Sequence, residues 1–234
     1  MTVDEQALLK QKAAEQAVGY VTSGMVVGLG SGSTVKFALE FLGAAIKSGR
    51  LEGIVGIPSS KRTEDLANAL GIPLTTFEVH PRIDLTIDGA DEVDPQLNLI
   101  KGGGGAMLRE KIVAQASSRN IIIVDESKIS PQLGTHWAVP IEVIPFALPV
   151  EMHFLQGLGA AAVLRQGDGQ GPFVTDEGNL IVDANFGPIQ DVRDLADQLN
   201  QRAGIVEHGL FLGMAAEVIV AEKGGIRRLT SQTP

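Results

Sequence analysis

An α/β fold is predicted by three features of the chain. Strand-like apolar runs alternate with helix-like segments over the first half, the order of elements changes after about residue 135, and the tail returns to strand character. The opening segment, EQALLKQKAAEQAVGYVTSG, has helical character and carries Gly24 just past its expected end. MVVGLG is a short apolar strand that runs into the loop GLGSGST and a second helix-like stretch. GIVGIPSS follows as strand and loop, SKRTEDLANALG as a helix closed by Gly71, and PLTTF and RIDLTIDGADE as further strands. KGGGGAMLREKIVAQASS is a loop and helix, and NIIIVDESK begins with another buried strand. Such alternation favours a mostly parallel, Rossmann-like sheet with helices on both faces, whose ligands gather at the carboxyl ends of the strands. All the unusual loops fall at such ends.

Beyond residue 135 the segments VPIEVI, PVEMHFLQGLG, AAVLRQ, NLIVDAN, PIQDVRDLADQLNQRA and GIVEHG follow the order β-α-β-β-α-β. This split-βαβ, ferredoxin-like pattern predicts a smaller inserted α+β domain over 136–207, with 1–135 and 208–234 forming the α/β catalytic domain. The tail GLFLGMAAEVIVAEKGGIRRL is expected to form strands around the KGG turn that return to the first sheet.

Composition narrows the function. The 234 residues are 44% hydrophobic, enough for a substantial core. No apolar run approaches the ~18 residues of a membrane helix, and MTVDEQALLK is too polar for a signal peptide, so a cytoplasmic protein is expected. The absence of cysteine removes disulfides, thiolate metal sites and a cysteine nucleophile, and His80, His136, His153 and His208 lack ligand spacing. No metal site is therefore expected. A net charge of -9 repels nucleic acid and anionic lipid over most of the surface, so an anionic ligand must be caught by a local site.

GLGSGST supplies such a site. A glycine-rich turn entering a helix brings backbone N–H groups to the positive end of the helix dipole, which suits phosphate. The dinucleotide fingerprint would need glycine at Ser33 and an acidic residue after the next strand, and neither is present; the P-loop G-K-[ST] and the elbow G-x-S-x-G are also missing. The remaining readings are a single-phosphate cradle built from Ser31, Gly32, Ser33 and Thr34, or a turn capped by Ser33 or Thr34.

Three further stretches lie at the same predicted sheet edge. TIDGADEVD places Asp88, Asp91, Glu92 and Asp94 at the end of an apolar strand, where a buried carboxylate needs a partner or a task. Asp-Gly is also an ordinary turn signal, and the EF-hand order is absent. In KGGGGAMLREK, four consecutive glycines carry an entropic cost that close approach to a ligand would justify, although a flexible loop would read the same way. Lys101 opens this loop. Glu110 shares its helix face with Ala106, Met107, Val113 and Ala114, while Arg109 and Lys111 point to the flanks. An apolar setting would raise the carboxyl pKa towards the range of an effective base; a surface glutamate near a helix start is the alternative. DESK adds Lys128, a cation at a strand end. A phosphate cradle, carboxylates, a lysine and a candidate base together describe proton chemistry beside a carbonyl on a small phosphorylated molecule.

In order and approximate spacing, GLGSGST, the pair Ser59-Ser60, DGADE, KGGGGAMLREK and DESK resemble type A ribose-5-phosphate isomerase, from about residue 4 to 229. The resemblance implies interconversion of ribose 5-phosphate and ribulose 5-phosphate through an enediolate, with no metal or redox cofactor. It implies that Glu110 is the general base, that Lys101 with the backbone of Gly102, Gly103 and Gly104 stabilises the oxyanion, and that Asp88 and Asp91 hold sugar hydroxyls and assist ring opening. Substrate binding is implied for Ser31 to Thr34, for Gly89 and Ala90 within the Asp88–Asp91 turn, and for Lys128, with Lys10 a weaker candidate. It also implies a homodimer or homotetramer whose small domain supports the contacts. The family pattern often has threonine at Ser31, alanine at Gly105 and threonine at Leu108, so packing near Glu110 differs here. Two other classes remain open: a coenzyme A transferase or sugar-phosphate deaminase on a similar sheet, and a non-catalytic sugar-phosphate sensor. The first gives DGADE and KGGGG no evident role, and for the second there is no DNA-binding helix pair or basic surface.

Overall fold

The computed structural model describes residues 3–169 and 171–230. In chain order it contains α1 (Val3–Val18), β1 (Val26–Leu29), α2 (Ser33–Lys47), β2 (Val55–Pro58), α3 (Lys61–Ala69), β3 (Leu85–Asp88), β4 (Glu92–Val93), β5 (Leu99–Ile100), α4 (Met107–Gln115) and β6 (Asn120–Asp125). These are followed by β7 (Val139–Val143), α5 (Leu148–Gly157), β8 (Ala161–Leu164), β9 (Leu180–Asn185), α6 (Val192–Asn200), β10 (Ile205–His208), β11 (Leu210–Phe211), β12 (Glu217–Glu222) and β13 (Gly225–Thr230). The chain forms two compact units. The first runs up to residue 90, takes in 109–128 and resumes at 213; the second comprises 91–108 and 129–212. The second unit thus contains the predicted 136–207 and, beyond it, 91–108, 129–135 and 208–212.

In the first unit a six-stranded sheet has the order β13-β12-β6-β3-β1-β2. Every neighbouring pair is parallel except the β12–β13 hairpin, which joins the sheet through β12 and β6. The mostly parallel sheet and the returning tail are therefore as predicted. All six residues of β6 are buried, as a central strand covered on both faces requires. Ile121 and Ile123 join one core with Val27 and Leu29 of β1, buried residues of α1 and α2, and Ala67 of α3. On the other face Val113 of α4 packs with Ile57 and Ile83.

The second unit contains an antiparallel sheet of order β10-β7-β9-β8 with α5 and α6 in the predicted βαββαβ sequence. Its core includes Ile141, Val143, Val182, Leu155 and Leu199. A three-stranded sheet, β11-β5-β4, lies in the same unit and was not predicted, because strands of two residues leave no period to read. Two expectations fail locally. PLTTF is not a strand: Leu74 makes only an isolated parallel bridge to Gly56. α1 ends at Val18, where Gly19 interrupts it, and Gly24 takes φ +85° in the turn before β1. Among the described residues no helix is long and apolar enough to cross a membrane.

Buried carboxylates are held by local hydrogen bonds in each unit, with and without a positive partner. Glu217, 1% exposed at the start of β12, accepts from Arg119 Nη2 at 2.8 Å, from Tyr20 Oη at 3.0 Å and from Arg228. Although burial alone would raise its pKa, the hydrogen bonds and positive charges prevail and hold the carboxyl below its usual value. In the second unit Glu142 is also buried, but among the described residues its hydrogen-bond donors are the neutral Thr175 and Asn179, both at 2.9 Å. Burial raises its pKa, and the charges of Glu177 and Glu207 add to the effect.

These shifts have opposite linkage signs. The stabilisation by Glu217 is present above its unfolded pKa and is lost as pH falls through the depressed folded value. That associated with Glu142 is present below its unfolded pKa and is lost as pH rises through the raised one. Glu217→Ala should cost about 1–3 kcal/mol in urea unfolding at neutral pH, with the deficit shrinking on acidification. Glu142→Gln should instead gain on the wild type as pH rises from 4 to 8; a pH-independent difference would show that burial of the charge is not the cause.

Candidate active site

The carboxyl ends of β1, β2, β3 and β6 share one edge of the parallel sheet. Chain order reverses between β1 and β3, the position at which open α/β sheets leave a crevice. Gly30 follows β1 and Asp88 ends β3. A Cβ on Gly30 would lie 2.3 Å from Asp88 Oδ1 and 2.6 Å from its Cα, so only glycine permits this approach. The carboxylate is 2% exposed, and its Oδ1 accepts from the N–H of Ser31 at 3.0 Å and of Gly89 at 2.7 Å.

The loop then enters α2, whose N-cap is Gly32 at φ +113° with no side-chain hydrogen bond. Neither Ser33 nor Thr34 caps the helix, which overturns the capped-turn alternative. By contrast, α3 is capped by Ser60 through Thr63 N, and α6 by Asp191 through Arg193 N and Asp194 N. Lys10 of α1 donates to Ser33 Oγ at 3.0 Å. A cavity of about 440 Å³ at this corner is lined in part by Lys10, Ser31, Gly32, Ser33, Lys36 and Arg62. An uncapped helix start and three nearby cations make a locally positive place on an acidic chain. The hydroxyl of Ser31 lies 2.9 Å from those of Ser59 and Ser60 and 3.1 Å from that of Thr63, whose Oγ1 donates to Gly30 O at 2.9 Å. This hydroxyl cluster ties the loop after β1 to the start of α3.

Two further predicted residues belong to this unit. Glu110, in the first turn of α4, is 5% exposed. Its predicted face is largely inside: Met107 is fully buried, Val113 is 2% exposed and Ala106 9%. Lys111 departs from expectation, being buried at 3% rather than on a flank. Lys128 closes the turn after β6, where Asp125 Oδ1 accepts from both the N–H and the hydroxyl of Ser127 at 3.1 and 2.5 Å.

The second unit holds the others, and the remaining carboxylates of DGADEVD divide by task. Asp91 Oδ2 accepts from Gly103 N at 2.7 Å, joining the aspartate turn to the glycine loop. Glu92, fully buried, accepts from four consecutive N–H groups, Gly134 to Trp137, at 2.9–3.3 Å. Asp94 closes the β4–β5 turn by accepting from the N–H groups of Gln96 and Asn98. Glu92 and Asp94 thus shape backbone.

Lys101 is 3% exposed, its N–H donates to Gly209 O at 2.9 Å, and its ammonium lies 5.5 Å from the centroid of the Phe211 ring. Arg165 Nη1 donates to the carbonyls of Gly102 and Gly103 at 2.9 and 3.1 Å. Gly105 takes φ +82°, and a Cβ there would come within 2.3 Å of the Phe173 ring. Within their units, therefore, Ser31 meets Asp88 and Asp91 meets the Lys101 loop. Phe211, Arg165 and Phe173 escaped sequence reasoning because each is far along the chain from the loop it supports. Ser59 and Ser60 were legible as a pair, but Thr63 was not.

The family described as ribose 5-phosphate isomerase A (phosphoriboisomerase A) matches residues 55–225. Ribose-5-phosphate isomerase A of Desulfatibacillum aliphaticivorans is 60% identical over 96% of this chain and 97% of its own. Among solved structures, ribose 5-phosphate isomerase from Plasmodium falciparum has a TM-score of 0.93 and 43% identity over 97% of this chain and 100% of that one. A D-ribose-5-phosphate isomerase in complex with phospho-erythronic acid has a TM-score of 0.94 and 41% identity over 98% and 100%.

The contacts at Gly30 predict a contrast between two glycines. Gly30→Ala should lose about 1–3 kcal/mol, because backbone as well as the Asp88 carboxylate must move. Gly104→Ala, whose Cβ would meet nothing within 4 Å, should stay within about 0.5 kcal/mol of wild type. Equal melting temperatures for the two variants would refute the close-approach account.

Proposed function

Because the chain belongs to the ribose 5-phosphate isomerase A family, and so is an aldose–ketose isomerase of ribose 5-phosphate and ribulose 5-phosphate, we propose that Glu110 is its general base. The observation that carries this reading is a carboxylate only 5% exposed in the first turn of the helix that follows the glycine loop. In the open-chain aldose, Glu110 takes the C2 hydrogen as a proton while the electrons of the C1 carbonyl collect on O1, giving an enediolate. Returning the proton to C1, with a proton passing from O2 to O1, leaves the ketose.

Lys101 and the N–H groups of Gly102 to Gly104 stabilise the negative oxygen. Asp88 and Asp91 hold sugar hydroxyls and assist ring opening and the oxygen-to-oxygen proton shift. Ser31, Gly32, Ser33 and Thr34 receive the phosphate at the uncapped start of α2, with Lys128 and, more weakly, Lys10 supplying positive charge; Gly89 and Ala90 line the sugar. The reaction leaves the substrate's overall oxidation level unchanged and calls for no redox cofactor. The enzyme works as a homodimer or homotetramer in the cytoplasm.

The direct test is ketose formation from ribose 5-phosphate in the presence of EDTA, where lack of turnover would remove the metal-independent reading. Glu110→Gln should reduce turnover at least about hundredfold while inorganic phosphate still binds, and near wild-type turnover would disqualify the base. Lys101→Ala should lower kcat by about two to three orders of magnitude with a smaller change in KM; an effect on KM alone would make it an anchor for substrate.

A further inference from the structure

A glycine loop offers carbonyls as well as N–H groups, and the orientation of its peptide planes decides which of them a bound oxyanion meets. A trans peptide carries C=O and N–H on opposite edges, so holding the carbonyls on one side aims the N–H groups to the other. Arg165, the residue after β8, is placed to do this. Its Nη1 donates to Gly102 O at 2.9 Å and Gly103 O at 3.1 Å, while Nε and Nη2 donate to the two carboxylate oxygens of Asp183 on β9 at 2.9 and 2.5 Å. A planar guanidinium can hold a carboxylate by two bonds and still serve two carbonyls, whereas an ammonium cannot.

The arginine is largely enclosed, although its brace Asp183 keeps 32% of its side chain exposed. The Arg165 side chain is 15% exposed, and the Phe173 ring, which occupies the space beside Gly105, has its centroid 5.9 Å from the guanidinium carbon. On the opposite edge of the Gly102–Gly103 peptide, the N–H donates to Asp91 at 2.7 Å, so that peptide is held from both sides. The next peptide has its carbonyl on Arg165, and its N–H, that of Gly104, therefore points away. A cation behind both carbonyls also polarises the peptides and strengthens their N–H groups as donors.

We propose that Arg165, braced by Asp183, is a positioning residue for the isomerisation: it turns the Gly103–Gly104 peptide so that the Gly104 N–H rather than a carbonyl oxygen meets the developing oxyanion, while the Gly103 N–H stays on Asp91. This rests on the reading of Lys101 and the glycine loop as the oxyanion site. A loop with one carbonyl rotated inward would repel the charge it now attracts, so the loss appears in the chemical step and not in phosphate capture.

The test uses the full chain, with kcat and KM for ribose 5-phosphate and inhibition by phospho-erythronic acid and by inorganic phosphate as readouts. Arg165→Ala should lower kcat about a hundredfold, as loss of an oxyanion donor does, and leave KM within about threefold. Affinity for phospho-erythronic acid, which carries a carboxylate as well as a phosphate, should fall at least about tenfold while that for phosphate holds, and added methylguanidinium should restore part of kcat to Arg165→Ala alone. Arg165→Lys, which keeps charge and most of the bulk, should show the same kcat loss and serves if the alanine variant does not fold. Wild-type kcat in either variant, a change in KM only, or equal weakening of both inhibitors would overturn the proposal. If Lys101→Ala is inactive while Arg165→Lys is normal, only the role of Arg165 fails; if Lys101→Ala keeps wild-type kcat, the oxyanion reading beneath it fails first.

Discussion

A buried carboxylate at the end of a central parallel strand is the constraint on which the carboxyl edge of the first unit's sheet depends. Asp88 is 2% exposed, and it is tolerable there because the N–H groups of Ser31 and Gly89 converge on one of its oxygens. The first of these bonds joins the loop after β1 to the end of β3, across the position where strand order reverses. It also demands glycine at position 30. The carboxylate thereby fixes the path by which the chain enters α2, and that path leaves the start of the helix without a side-chain cap.

The second unit meets a related problem in the same way, with backbone N–H groups. Glu92 lies fully buried, and four successive backbone N–H groups surround its two oxygens. Converging amide dipoles can offset an anion's lost hydration, and here they pin residues 134–137 to the strand that follows Asp91. Elsewhere in this unit Arg202 pairs with buried Glu151 at 2.9 Å, and its guanidinium lies 4.4 Å from the Phe154 centroid. In each case a costly group is used to hold irregular chain, where apolar packing has little regular surface to act on.

Glycine loops supply a ligand with close backbone but supply no rigidity of their own, so their neighbours must provide it. For GLGSGST these are Asp88 and the hydroxyls of Ser59, Ser60 and Thr63. For KGGGG they are Asp91 on one edge and Arg165 with Phe173 on the other, while Lys101 at its head is braced by Gly209 and Phe211. A backbone prepared in this way needs little reorganisation as charge develops on a substrate, which is how preorganised donors lower a barrier.

Local periodicity and spacing were enough to identify the mostly parallel sheet, the βαββαβ order, and the strand ends, loops and helix starts that carry Ser31 to Thr34, Asp88, Lys101, Glu110 and Lys128. Those features are written in residues close together along the chain: apolar strands, helical faces, and glycines at strand ends. The same information overextended α1 and made a strand of PLTTF, because propensity cannot weigh a helix turn or a β-ladder against the tertiary contacts that end it. Only the folded chain decided that Glu92 gathers the N–H groups of Gly134 to Trp137 and that Arg165 reaches the glycine loop from 62 residues away. These are pairings between distant segments, set by strand register and by the need to satisfy buried polar groups. No short window of sequence contains both partners.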